Sequence, residues 1–166
     1  MVAMLCVWGF LVWQRLAEVA RAQRHTKALL AQGGREFASG HYPIMVLIHT
    51  LWFTGWLAES FAFGVNWNPV WLLPALLGQF LRVWAQSTLG PRWTTRVIVV
   101  PGEQPVTRGP FRFLRHPNYV GVTLELFAFP LLFGSWRTAI VCSLANAALL
   151  KWRVRCEEKA WTQFGN

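Results

Sequence analysis

The stretch GPFRFLRHPNYVG, from Gly109 to Gly121, stands directly before an apolar segment that reads as membrane-spanning. Polar, charged and aromatic side chains are mixed in it, and Pro110 and Pro117 divide it. Proline suits the first turn of an α-helix, because the N–H that it lacks would have no partner there. We therefore expect a short helix near 111–115 and a new helix that begins at Pro117.

Around this stretch, the composition is that of an integral membrane protein. The chain has 166 residues, of which 54% are hydrophobic and 14% charged, whereas soluble domains are about one-quarter charged. A transmembrane helix needs about 20 apolar residues. Apolar spans lie at 2–14, 43–63, 69–89, 119–134 and 136–152. We expect an all-α integral membrane protein with about five transmembrane helices. It should form a single membrane-embedded domain over 1–166.

Nearly all of the positively charged residues lie in segments that we expect on one side of the membrane. All Lys and Arg residues except Arg82 and Arg137 lie in the segments 15–42, 90–118 and 151–166. Cytoplasmic segments carry such an excess of Lys and Arg. We expect an integral membrane protein with its N-terminus outside and its C-terminus in the cytoplasm. The net charge of +9 then reflects topology, and no nucleic-acid partner is expected.

Several kinds of site are excluded by the residue types present. The three cysteines, Cys6, Cys142 and Cys156, form no CxxC pair and no cluster with histidine. The chain has no aspartate. We therefore expect neither a disulfide framework nor a metal site.

The connections between the spans also give predictions. The first span should continue as an amphipathic helix from Arg15 to Leu30, stop at Gly33–Gly34, and be followed by a helix that starts after Pro43. The β-branched run RVIVV at 96–100 predicts an extended segment that turns at Pro101. The last two spans are separated only by Gly134–Ser135, which predicts a tight helical hairpin.

Polar side chains inside the spans are the candidates for function, since burying them in a membrane is costly. They lie at helical spacing in the third, fourth and fifth spans, and two more lie in the second. The set is Gln79, Arg82 and Gln86; Asn118 and Glu125; Cys142, Asn146, Arg153 and Glu157; and His49 and Glu59.

The same residues also fit a structural interpretation. His49, Glu59 and Gln79 suit hydrogen bonds between helices. Arg82 suits either pairing with a glutamate or extension toward the cytoplasm. Arg153 and Glu157 are four residues apart and suit an intrahelical ion pair. We predict a catalytic role for Glu125, because it lies two turns inside the helix that starts at Pro117.

The segment VTRGPFRFLRHPNYVG, followed by a hairpin that ends in RVRCEE, resembles the isoprenylcysteine carboxyl methyltransferase family. This family comprises integral-membrane enzymes that use S-adenosylmethionine. The similarity extends through GREFASGHYPIMVLIHTLWF and LGPRWTTRVIVVPG to small bacterial members that O-methylate alkylpyrones or alkylresorcinols beside type III polyketide synthases. The RHPxY element also occurs in membrane sterol reductases that use NADPH.

The resemblance implies where the cofactor binds. It places the cofactor-binding half at about 90–166 and the acceptor-binding arginine at Arg153. The implied cofactor-binding residues are Arg96, Glu103, Gln104, Pro105, Val106, Phe111, His116, Pro117, Asn118, Tyr119 and Glu157.

The resemblance implies an O-methyltransferase for a lipophilic acceptor with an acidic hydroxyl. It implies that the enzyme acts beside a polyketide synthase in the bacterial inner membrane and takes its acceptor from the lipid. Methyl transfer is an in-line displacement, so alignment and electrostatics dominate its catalysis. Three alternatives remain at this point. Two are enzymes: one methylates a prenylcysteine carboxyl or a lipid headgroup, and the other is an NADPH-dependent reductase. The third is a membrane scaffold without catalysis, which would bind neither cofactor.

Overall fold

Seven helices and strands carry the fold in the computed structural model, which describes residues 1–164 apart from the side chain of Phe164. They are α1 (Val2–Ala31), β1 (Arg35–Phe37), α2 (His41–Phe63), α3 (Leu72–Leu89), β2 (Val97–Val99), α4 (Pro117–Leu132) and α5 (Trp136–Phe164). Short 3₁₀ turns lie at Pro69–Trp71, Gly90–Arg92 and Gly109–Arg112.

Most helix boundaries agree with the sequence predictions. Helix α1 runs without interruption to Ala31, and α4 begins at Pro117. The α4–α5 turn contains Gly134, whose φ of 89° suits a residue without a side chain. Helix α2, however, begins at His41 rather than after Pro43, because Pro43 occupies its first turn, where no N–H is needed.

The turn before α4 differs in form from the prediction. The helix expected near 111–115 is instead the 3₁₀ turn Gly109–Arg112, which ends before that range does. A 3₁₀ turn of this length is a common connector, and it leaves 113–116 as a linker into α4.

The all-α prediction is incomplete, because β1 and β2 form an antiparallel two-stranded sheet with Glu36 opposite Ile98. The extended run at 96–100 was expected, but its partner was not. Val97 and Val99 are buried against Ala160 of α5. The sheet therefore fixes the long loop after α3 against the last turns of α5.

Helices α3 and α4 pack closely through two glycines. A Cβ added at Gly121 would lie 2.6 Å from Cγ of Arg82 and 2.9 Å from the carbonyl oxygen of Gly78. Nearby, Trp52 of α2 donates its indole N–H to the carbonyl of Leu126 over 2.9 Å. These contacts hold α2, α3 and α4 together around an aromatic core.

The outer faces of the helices are strongly apolar. Large exposed side chains include Phe10, Trp13, Phe61, Leu73 and Leu144. Such extensive exposed apolar surface suits contact with lipid. Helices α1 and α2 are each long and apolar enough to cross a membrane. The count of five crossings stays a prediction.

Candidate cofactor and acceptor cavities

A cavity of about 420 Å³ lies under the segment that follows α3, and we call it the loop cavity. Segment 92–107, the turn before α4, the start of α4 and the end of α5 all line it. Every residue that the resemblance assigned to the cofactor lines this cavity except Gln104. Gln104 instead contributes its backbone carbonyl, which accepts a hydrogen bond from Arg92 over 2.9 Å.

Glu157 organises the polar end of the loop cavity. The hydroxyl of Tyr119 donates to Oε2 of Glu157 over 2.7 Å, and Nδ1 of His116 lies 3.7 Å from the same oxygen. The rings of His116 and Tyr119 stack with centroids 5.2 Å apart and planes 6° from parallel. The HPNY motif and the distant Glu157 therefore form one cluster.

Arg153 is buried and lines the loop cavity. It donates to the carbonyl of Thr95 over 3.1 Å and contacts Sδ of Met45 at 2.8 Å. Its guanidinium carbon lies 5.3 Å from the ring centroid of Tyr119. Within the described chain no ion pair joins Arg153 to Glu157, so the intrahelical pair is not the arrangement adopted.

A second cavity of about 250 Å³ lies between α1, α2, α4 and α5, and we call it the helix cavity. Its walls are mostly apolar and include Val12, Phe53, Val122 and Leu149. It shares one wall with the loop cavity. The shared residues are Trp93, Thr94, Asn118, Tyr119 and Arg153.

Buried polar atoms in these walls lack partners. Within the described chain, Oδ1 of Asn118, Nδ2 of Asn146 and Nε of Arg153 have no hydrogen-bond partner. Buried polar groups are normally hydrogen-bonded, so such atoms require an explanation. Oδ1 of Asn118 in particular suits a bound molecule that carries a hydrogen-bond donor.

The loop cavity offers charges of both signs. Glu103 pairs with Arg92 at 2.9 Å, and Arg96 pairs with Glu36 of β1 at 2.6 Å. Arg96 also lies over the ring of Tyr42, 4.4 Å from its centroid. S-adenosylmethionine is a nucleoside with a zwitterionic amino-acid group and a positively charged sulfur, and it fits such a lining. The volume of the cavity also suits a ligand site.

Glu125 lies elsewhere, in a buried cluster of charges between helices. It pairs with Arg15 of α1 and with Arg82 of α3, and both arginines also pair with Glu18. Glu125 lines neither cavity. The pairing interpretation of Arg82 is confirmed, while the catalytic role of Glu125 stays a prediction.

The other polar residues of the spans have distinct surroundings. Glu59 accepts hydrogen bonds from the backbone N–H groups of Arg137 and Thr138 at the start of α5. Gln79 exchanges side-chain hydrogen bonds with Gln14, as the structural interpretation predicts. His49 instead lines the helix cavity.

Sequence reasoning missed the contribution of α1 to the helix cavity. Arg15 and Glu18 both line it, together with Trp93 and Thr94 from the segment after α3. A signal was present, because Gln14, Glu18 and Arg21 have the spacing of one helical face. That face complements the polar face of α3.

Comparison with known proteins identifies the family of the chain. The model of the isoprenylcysteine carboxyl methyltransferase (ICMT) family matches residues 70–163, which include the lining of the loop cavity apart from Leu29, all of α4 and most of α5. The chain therefore belongs to this family of membrane methyltransferases, whose members use S-adenosylmethionine as methyl donor.

Two bacterial relatives cover most of the chain. It is 38% identical over 159 residues to the uncharacterized protein YpbQ of Bacillus subtilis, covering 94% of this chain and 95% of that protein. It is 23% identical over 141 residues to an uncharacterized protein of Haemophilus influenzae, covering 82% of each. No solved structure matches the chain.

Proposed function

We propose that this protein is an S-adenosylmethionine-dependent O-methyltransferase of a lipophilic acceptor with an acidic hydroxyl, of the alkylpyrone or alkylresorcinol type. The observation that carries the proposal is the single wall between the polar loop cavity and the apolar helix cavity. Asn118, Tyr119 and Arg153 form that wall with Trp93 and Thr94. A reaction between an aqueous cofactor and a lipid-borne acceptor requires this kind of meeting point.

The loop cavity would hold the cofactor through the Glu157 cluster. When bound, S-adenosylmethionine supplies a methyl group on a positively charged sulfur. The carboxylate of Glu157 suits a ribose hydroxyl or a cationic group, and Tyr119 fixes it by donating to Oε2. Glu103, Pro105, Val106 and Phe111 close the cavity from the loop side.

The acceptor would lie in the helix cavity with its oxygen toward Arg153. The unpartnered Nε of Arg153 suits an oxygen that carries negative charge. Apolar walls suit an alkyl chain, whose transfer from water is favourable by about 0.8 kcal/mol per CH₂ group. The helices around the cavity have lipid-facing outer surfaces, so an acceptor dissolved in the bilayer has a short route to it.

The two enzymatic alternatives from the sequence make different demands on this site. A prenylcysteine or lipid headgroup would also place an alkyl chain in the helix cavity, so acceptor assays must separate it from a pyrone. An NADPH-dependent reductase would need the loop cavity to bind a dinucleotide. The family membership favours the methyltransferase.

The decisive experiment compares ligand binding to detergent-purified protein by calorimetry. S-adenosylhomocysteine should bind and NADPH should not. Glu157→Gln should weaken S-adenosylhomocysteine binding by at least about tenfold, because it removes the charge from a hydrogen-bonded carboxylate. Lys159→Gln, an exposed change outside both cavities, serves as the control and should bind normally.

The acceptor is tested next with radiolabelled S-adenosylmethionine. Long-chain alkyl hydroxypyrones and alkylresorcinols should be methylated, whereas a farnesylated cysteine should not. Binding of NADPH alone would contradict the cofactor assignment. Methylation of the prenylcysteine alone would keep the enzyme class and change the acceptor.

A further inference from the structure

We infer that His49 is the general base that removes the proton from the acceptor hydroxyl. This inference rests on the proposed function. It assigns a residue of α2, outside the 70–163 segment that matches the family, to the chemistry of the site.

The hydrogen bond of the His49 ring determines which nitrogen is free. Nδ1 of His49 lies 2.9 Å from the carbonyl oxygen of Met45. A carbonyl only accepts, so Nδ1 carries a hydrogen and donates it. In the neutral ring Nε2 is then an acceptor, and within the described chain it has no partner. The ring lines the helix cavity, where the acceptor would lie.

The position of His49 along α2 places it near the reacting end of the helix cavity. Met45, one turn earlier, touches Arg153 of the shared wall. Side chains in a helix lean toward its N-terminus, so the His49 ring leans toward Met45 and toward that wall. Farther along, α2 and α5 meet again where Gly55 faces Thr138. Between these two contacts, the antiparallel helices bring His49 to the level of Asn146.

Asn146 provides independent evidence that this level holds a polar group. It is 1% exposed, it lines the helix cavity, and its Nδ2 has no partner within the described chain. An amide N–H₂ donates only. A hydroxyl bound here gives its proton to His49, and a second ring oxygen of the acceptor receives a hydrogen bond from Asn146.

The other charged or titratable groups of the helix cavity cannot take this proton as readily. Arginine is always protonated. Glu18 is paired with two arginines and accepts a hydrogen bond from Gln86, and Tyr119 donates to Glu157. The groups facing the cavity, besides His49, are Arg15 and Glu18 of α1, Tyr42 of α2, Arg82 of α3, Tyr119 of α4 and Arg153 of α5.

In the proposed step, the acceptor hydroxyl loses a proton and its oxygen gains a methyl group. The O–H proton passes to Nε2 of His49, and the freed electron pair on oxygen forms the O–CH₃ bond. The bond between the methyl carbon and sulfur breaks, and its electrons stay on sulfur, which gives neutral S-adenosylhomocysteine. His49 later releases its proton to water.

The test uses the full-length protein with an alkylresorcinol as probe, because a phenolic hydroxyl stays protonated up to about pH 10. At neutral pH, His49→Gln should lower kcat by at least about 100-fold, since general bases contribute about that much or more. The loss should shrink above about pH 10, where the acceptor ionises without help. S-adenosylhomocysteine affinity should be unchanged.

A matched control is provided by His25→Gln. Nδ1 of His25 also contacts a carbonyl, that of Trp93 at 2.7 Å, but His25 lines neither cavity. Its variant should keep wild-type kcat. NMR of ¹⁵N-histidine-labelled protein without cofactor gives a second measurement. The resonance that is absent from the spectrum of His49→Gln belongs to His49. That resonance should shift when the alkylresorcinol is added to the wild-type protein.

Each other outcome overturns the inference. A loss in His49→Gln that is equal at all pH values, or no loss, means that His49 only packs. The second probe is a long-chain alkyl hydroxypyrone in its ionised form. If the wild type methylates this probe but not the alkylresorcinol, no base is needed, and the proposed function then stands. Methylation of neither probe removes the proposed acceptor class together with this inference.

Discussion

Arg153 and Glu157 are one turn apart on α5, yet they serve different cavities. Glu157 lines only the loop cavity, whereas Arg153 lines both. Tyr119 separates them, because its hydroxyl binds Glu157 while its ring lies beside the guanidinium. Tyr119 therefore lies between Arg153 and Glu157, whose spacing on α5 would otherwise predict an intrahelical ion pair.

This division predicts separable effects at the residue scale. Arg153→Met should leave the S-adenosylhomocysteine affinity within about threefold and lower kcat by about 100-fold or more, the loss typical of a removed transition-state donor. Calorimetry and single-turnover methylation measure the two quantities. Lys151→Met, an exposed change on the same helix, is the control. Equal losses in both quantities would place Arg153 at the cofactor instead.

Ten of the eleven residues that the resemblance implies for the cofactor line the loop cavity, whereas other lining residues, such as Leu29, Leu89 and Trp161, were not predicted. Gln104 is the exception, since a loop residue has no periodicity that fixes the direction of its side chain. The helix cavity was only partly predicted. Spacing shows which residues share a face of α1, but not which helices that face meets.

At the scale of elements, the buried cluster around Glu125 holds α1 against α3 and α4. It contains two arginines and two glutamates, with Arg15 13% exposed at its side chain and Arg82, Glu18 and Glu125 at most 6% exposed. Removing one partner of a buried ion pair leaves an uncompensated charge, at a cost of about 3–5 kcal/mol. The sequence indicated Arg82 and Glu125 as buried polar groups but left their partners open.

Glu125→Gln therefore tests the catalytic prediction against this structural arrangement. We expect the thermal midpoint in detergent to fall, by about 2–4 °C for each kcal/mol lost in a chain of this size. If Glu125 has only this structural role, kcat below that midpoint stays near the wild-type value. Thr123→Val, an exposed change on the same helix, should leave the midpoint unchanged. Loss of kcat at an unchanged midpoint would instead support catalysis by Glu125.

The small sheet shows another limit of sequence reasoning about elements. The β-branched residues of β2 indicated an extended segment, but REF in β1 has no such pattern. Strand β1 forms because it lies beside β2, in register from Arg35 to Phe37. A partner strand of three residues depends on tertiary context rather than on local propensity.

At the scale of the whole molecule, the order of helices follows from the apolar spans, whereas their depth in the membrane does not. Helix α4 has 16 residues, about 24 Å at 1.5 Å per residue, which is shorter than a hydrocarbon core of about 30 Å. The length of α4 therefore does not establish it as a full crossing. The distribution of Lys and Arg carries the orientation instead.

That orientation predicts which connections face outward. In a variant with Cys6, Cys142 and Cys156 changed to alanine, Trp67→Cys places a thiol in the connection after α2, where Trp67 is 52% exposed. An impermeant maleimide should label it in intact spheroplasts.

Gln32→Cys, placed in the exposed connection after α1, should react only after the membrane is opened, because that side carries the basic segments. Both variants should react equally in detergent, which controls for local accessibility. The reverse pattern would invert the topology and place the loop cavity outside. Cytoplasmic S-adenosylmethionine could not reach it there, so the proposed function requires the predicted orientation.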